Sequence, residues 1–76
     1  MKTPEEELED ARQKARSIAH DFNNVLAAIL GCAELVSIRL KPDDPLRGEL
    51  DEIRKAAGRG TDLTRELRNL IPQDRG

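Results

Sequence analysis

From Leu8 onward, apolar or small residues recur three and four positions apart: Leu8, Ala11, Ala15, Ile18, Phe22, Val25, Ile29, Cys32 and Val36. This spacing is the a/d signature of a helix that packs along one seam. A second row, Ala19, Leu26, Ala33 and Leu40, falls beside it at e. Three apolar positions per heptad make a stripe about 100° wide, which suits a bundle helix better than a narrow two-stranded coil. On this reading Phe22 and Val25 lie in the core, and Cys32 is a small buried hydrophobe.

The ends of the pattern are marked. Thr3 reads as an N-cap, Pro4 as the first helical residue, and Glu6 completes a T-x-x-E capping box. Glu5, Glu6 and Glu7 complement the positive end of the helix dipole. Helix 1 is expected over about 4–40, with Asp10–Lys14 as a surface ion pair. Lys41-Pro42-Asp43-Asp44-Pro45 is the break. Pro42 stops helix 1, while Asp44 is expected to cap helix 2 with Pro45 in its first turn.

Helix 2, over about 46–71, repeats the heptad through Leu46, Leu50, Ile53, Ala57, Gly60, Thr64, Leu67 and Ile71. Ala56, Leu63 and Leu70 form a side row at g, and Asp51–Lys55 is a further i,i+4 pair. Gly58 and Gly60 allow bending or close packing. Residues 72–76 form a polar tail opened by Pro72.

So short a connection makes the helices antiparallel neighbours. At 1.5 Å per residue they would be about 55 and about 40 Å long. Two such rods bury only part of a three-per-heptad stripe against each other. The expected fold is therefore all-α: a single domain over 1–76, an antiparallel helical hairpin that dimerises into a four-helix bundle. The second half of helix 1 is apolar on its other faces too, at Ala27, Ala28, Leu30, Gly31, Leu35 and Ile38. That excess points either to a second surface for a partner or to tighter packing in the bundle. Gly31 at mid-helix costs about 1 kcal/mol relative to alanine, consistent with another backbone coming close.

Composition narrows the function. With 76 residues there is room for one small domain, and one cysteine excludes an internal disulfide. Thirteen basic against 15 acidic residues and one aromatic per cent give no reason to invoke nucleic acid or an anionic membrane. No apolar run is expected to reach membrane-spanning length, and the N-terminus lacks a signal-peptide pattern. A cytoplasmic location is expected for this segment, even where a parent protein is itself anchored in a membrane.

Candidate chemistry centres on His20, the one histidine. It is an f position, roughly 150° from the centre of the stripe, and so should face solvent. Most exposed histidines have no task. Here Asp21 follows at +1, Asn24 stands one turn along and Arg16 one turn before. An exposed imidazole among a carboxylate, an amide and a guanidinium can act as a nucleophile toward a phosphoryl group.

The run Ile18-Ala19-His20-Asp21-Phe22-Asn23-Asn24-Val25-Leu26, continuing through Leu35, resembles the H-box of the dimerisation and histidine-phosphotransfer domain of bacterial sensor histidine kinases. Ala56-Ala57 and Asp62-Leu63-Thr64-Arg65-Glu66-Leu67 resemble that family's second helix, so the likeness covers about residues 8–67. It implies that His20 is the phosphoacceptor, charged from ATP by a catalytic domain and discharged to an aspartate of a response-regulator receiver domain. It implies that Asp21 orients the imidazole or takes its proton, and that Asn24 positions a water for dephosphorylation. Arg16 and Asn23 are candidates for the phosphoryl oxygens, and Ala27 and Gly31 for partner contact.

Two departures stand out. Many relatives carry proline five residues after the histidine, where this chain has Val25. The family's Leu-Leu-x-Phe ending is replaced by Leu67-Arg68-Asn69-Leu70. No asparagine box or glycine-rich nucleotide motif occurs in these residues, so this chain alone is not expected to bind a cofactor or phosphorylate itself. ATP and Mg would sit on a separate catalytic domain, acting in cis or in trans. The competing reading is a structural dimerisation hairpin with an incidental histidine. A metal site is disfavoured, since His20 and Asp21 supply too few ligands.

Overall fold

Helix α1 begins where the sequence supplies a capping box. Thr3 Oγ1 accepts from the Glu6 N–H at 3.1 Å, and Glu6 Oε1 accepts from the Thr3 N–H at 2.9 Å. In this computed structural model, which describes residues 1–71, α1 spans Pro4–Arg39 and α2 spans Arg47–Leu70. Both helices are close to the lengths the heptads predicted. Ile71 is the C-cap of α2, and the expected tail over 72–76 lies outside the described residues.

The connection differs from expectation. Asp44 does not cap α2: its Oδ1 accepts from the Leu46 N–H at 2.8 Å, closing a local turn. The N-cap is Leu46, without a side-chain cap bond, and Pro45 stays in the turn. The element that organises this end is Arg47. Its Nη2 donates to the Ser37 and Leu40 carbonyls at 3.0 and 2.7 Å, and its Nε to the Lys41 carbonyl at 2.8 Å. Nη1 reaches Ser37 Oγ at 3.2 Å. Carbonyls at a helix C-terminus have no intrahelical donors and carry the negative end of the dipole, so a cation with several donors suits them.

The helices run antiparallel, with Arg47 against Ser37, Arg54 against Glu34 and Gly60 against Leu26. Within the hairpin the seam is made of small side chains. Ala19, Ala33, Ala57 and Thr64 are buried, with Leu50 and Ile71 toward the ends of α2. A Cβ on Gly60 would lie 3.0 Å from Leu26 Cδ2, so the glycine receives the leucine as a hole receives a knob. Thr64 Oγ1 donates to the Gly60 carbonyl at 2.7 Å, which satisfies the hydroxyl inside the seam.

This corrects the assignment of rows. The row that meets α2 is the e row (Ala19, Leu26, Ala33, Leu40), while the large a/d side chains stand on an open flank beside it. Phe22 is 57% exposed and Val25 is 55% exposed, so neither is in the core of the hairpin. Cys32 is exposed too, not buried. Size is part of the cause: alanine, glycine and threonine let the helix backbones approach, and the leucines that enter the seam do so beside small residues, as Leu26 does over Gly60. Gly31 has open space where a Cβ would be, so the chain's own second helix does not supply the close approach expected there.

Surface pairs also shifted. Asp10 pairs with Lys2 and not Lys14. Asp51 pairs with Arg54 at 3.0 Å, and Lys55 with Glu52 at 3.6 Å. By length and composition alone α1 could cross a membrane, since an 18-residue window has mean hydropathy 1.4, contrary to expectation. That apolarity is the sum of two faces, one flanking α2 and one turned away from it. Length and apolarity of this kind are shared by helices that pack against other helices.

Arg47→Ala should lower hairpin stability by about 1–3 kcal/mol, because it strips donors from several carbonyls at once. Urea denaturation of the two proteins checks this, and an unchanged midpoint would show that Arg47 holds nothing.

Candidate functional site

His20 stands near the middle of α1, on the side turned away from the large apolar row, and is exposed. Asp21 and Asn24 are exposed as well, and Asn23 is half-buried toward α2. Among the described residues no hydrogen bond joins Asp21 to the imidazole; adjacent helical residues point about 100° apart. Asp21 instead borders a shallow groove with Ile18, Phe22 and Val25, at the edge of the apolar flank. Arg16, one turn before His20, is half-buried and pairs with Glu9 at 3.9 Å. Ala27 and Gly31 are exposed about two and three turns beyond His20.

The hairpin therefore has two unlike flanks. One carries the apolar row, with shallow grooves lined by Val25, Ile29, Val36 and Ile53, and by Phe22, Leu63 and Leu67. The other is polar. On α1 the residues Arg16, His20, Asn23, Ala27 and Glu34 follow one another at helical spacing. On α2 the corresponding column is Arg47, Arg54, Gly58, Thr61 and Arg65. The ion pair between Arg54 Nε and Glu34 Oε1, at 2.8 Å, ties these two columns together across the hairpin. His20 thus shares a flank with the arginine column of α2, and Phe22 and Val25 lie on the other side.

An exposed nitrogen base of this kind can attack an electrophile brought by another molecule. Among the described residues none of the shallow grooves encloses the ring, and no three of His, Cys, Asp or Glu gather to hold a metal. Reading the chain as helical faces singled out His20, Asp21, Asn24 and Asn23 and did not single out the arginines of α2. Their signal was present: Arg54, Thr61 and Arg65 repeat at helical spacing on the flank of the Ala57–Thr64 row.

Comparison with known proteins bears on what this surface is. The chain is 36% identical over 62 residues to the Sensor kinase CckA of Brucella abortus (strain 2308), an alignment covering 82% of this chain. It is 37% identical over 81 aligned positions to the Tetrathionate sensor histidine kinase TtrS of Salmonella typhimurium (strain LT2), covering 95% of this chain. The chain is related to sensor histidine kinases. It spans only 7% and 14% of the length of those two kinases, so it corresponds to a segment of each. No family model matches the chain, and no solved structure matches it. The match spans most of a helical hairpin, so the kinase-related segment is itself helical.

Since the three side chains are solvent-facing, His20→Ala, Asp21→Asn and Asn24→Ala should each change the unfolding free energy by no more than about 0.5 kcal/mol. Denaturant titration checks this, and a loss above about 2 kcal/mol would assign the residue to the scaffold.

Proposed function

We propose that this chain is the dimerisation and phosphoacceptor segment of a two-component sensor histidine kinase, with His20 as the phosphoacceptor. The observation that carries the reading is an exposed imidazole on a helix flank, in a chain related over most of its length to sensor histidine kinases. A nucleophile that must meet two different proteins in turn belongs on an open surface and not in a pocket.

In the first step an imidazole nitrogen forms a bond to the γ-phosphorus of ATP. The bond from that phosphorus to the bridging oxygen breaks and ADP leaves with the electron pair. The proton on the ring passes to a base, the role assigned to Asp21. In the second step an aspartate of a receiver domain attacks the same phosphorus, the N–P bond breaks, and the imidazole is restored. ATP and Mg belong to a separate catalytic domain, in cis or in trans. Asn24, one turn from His20, can hold a water by hydrogen bonding without itself moving a proton, which suits dephosphorylation of the receiver. Arg16 and Asn23 flank the ring, and Ala27 and Gly31 continue the same face as a low surface that a receiver domain can approach. The reactions place this segment in the cytoplasm.

The second part of the reading is a two-fold dimer. A compact monomer of this mass exposes roughly 4,700 Å², whereas this chain exposes 6246 Å². The excess is larger than the ~800 Å² that each partner buries in a standard interface. Ile18, Phe22, Val25, Ile29, Val36, Ile53 and Leu67 make an apolar flank continuous over both helices. A second copy presents the same stripe, which closes an antiparallel four-helix bundle and leaves both His20 rings outside.

Sedimentation equilibrium should give about twice 8.5 kDa, and Phe22→Ala should shift the chain toward monomer. A monomer at all concentrations would reject the bundle. Phosphoryl label supplied by a kinase catalytic domain or a phosphorylated receiver should reach the wild-type chain and be absent from His20→Ala. Label persisting in that variant would show that His20 is not the acceptor. A structural hairpin with no transfer role would give the dimer and take no label.

A further inference from the structure

The polar flank holds more than the residues assigned so far. Stepping along both helices from the Leu26–Gly60 contact toward the free ends of the hairpin, by about 9 Å at 1.5 Å per residue, brings His20 level with Glu66. Arg65 and Arg68 bracket that level. Arg65 extends the column Arg54, Gly58, Thr61, which the Arg54–Glu34 ion pair fixes on the His20 side. Arg68 extends the row Ala57, Thr61, Thr64 that faces α1. Between the columns the side chains are small, at Ala27, Gly58 and Thr61.

Neither arginine is committed to the scaffold. Arg65 reaches Asp62 only at 3.5 Å, with both side chains mostly exposed. Arg68 is exposed and makes no side-chain ion pair among the described residues. By contrast, Arg47 and Arg54, lower on the same flank, are spent on carbonyls and carboxylates. A guanidinium on a long stem beside a phosphoryl acceptor suits an anion with three equatorial oxygens, which it can grip with parallel N–H donors.

We propose that Arg65, assisted by Arg68, binds the phosphoryl group at His20 from the second helix of the same hairpin. This rests on the phosphoacceptor reading above and adds to it the group that holds the anion. The two guanidiniums draw the phosphoryl oxygens toward α2 and stabilise the charge as the N–P bond forms or breaks.

The test uses the whole chain and phosphoramidate as the phosphodonor. The donor's P–N bond breaks, ammonia leaves, and a bond to the His20 ring forms. Wild type should take label, and His20→Ala should not. Arg65→Gln should slow labelling about tenfold, the worth of one charge-assisted hydrogen bond, and Arg65→Gln with Arg68→Gln should slow it further. Arg65→Lys keeps the cation and should restore much of the rate, which a merely structural role would not require. Arg59→Gln, on the outer face of α2, should label as wild type does, and circular dichroism should be the same for all. Wild-type labelling rates in both Arg65→Gln and the double variant overturn the arginine assignment and leave His20 standing. A wild-type chain that takes no label, or a His20→Ala chain that does, overturns the phosphoacceptor reading and the arginine assignment with it.

Discussion

The contact between α1 and α2 is made largely by small side chains, with leucines such as Leu26 and Leu50 set among them, and the sorting of the hairpin's two flanks follows from that. Ala19, Ala33, Ala57, Thr64 and Gly60 bring the two backbones together. The seam admits Leu26 over Gly60 and buries Leu50, while Phe22, Ile29 and Val36 stay outside it. Most of the large apolar groups of the a/d rows lie beside the seam, gathered on one flank. A hairpin built this way cannot satisfy its own hydrophobic surface. Its long axis of 61 Å against 21 and 16 Å leaves no interior in which those groups could be hidden.

Exclusion on one side creates freedom on the other. With most of the large apolar groups sorted to one flank, the opposite flank carries His20, Glu34 and Arg65 exposed and Asn23 and Arg54 half-buried. An ion pair and a capping arginine fasten it, since Arg54 ties α2 to Glu34 and Arg47 ties the turn to the end of α1. A flank of this kind is firm in its backbone and open in its side chains. Those are the conditions under which a surface imidazole can be approached by a succession of large partners.

Much of this was legible in the residues, and what was not has a physical reason. Thr3 and Glu6 marked the start of α1 because a capping box needs only local chemistry. The outward placement of His20 followed from 3.6-residue periodicity. The choice between two adjacent apolar rows did not follow, because a three-per-heptad stripe is compatible with rotation by one row. The alanines at 19, 33 and 57 were the available clue, since small residues mark where helices come closest. Asp44 was misread because its side chain serves the turn ahead of the helix. Arg47 escaped notice because its partners depend on the path of the loop and not on helical spacing.

The apolar flank carries the chain's single cysteine, Cys32, beside Ile29 and Val36. Its alkylation rate reads directly whether that flank is covered. If the flank is the interface between two hairpins, Cys32 should react slowly compared with the urea-unfolded chain, more slowly as protein concentration rises, and quickly again in Phe22→Ala. Alkylation at the unfolded rate, independent of concentration, would contradict the account.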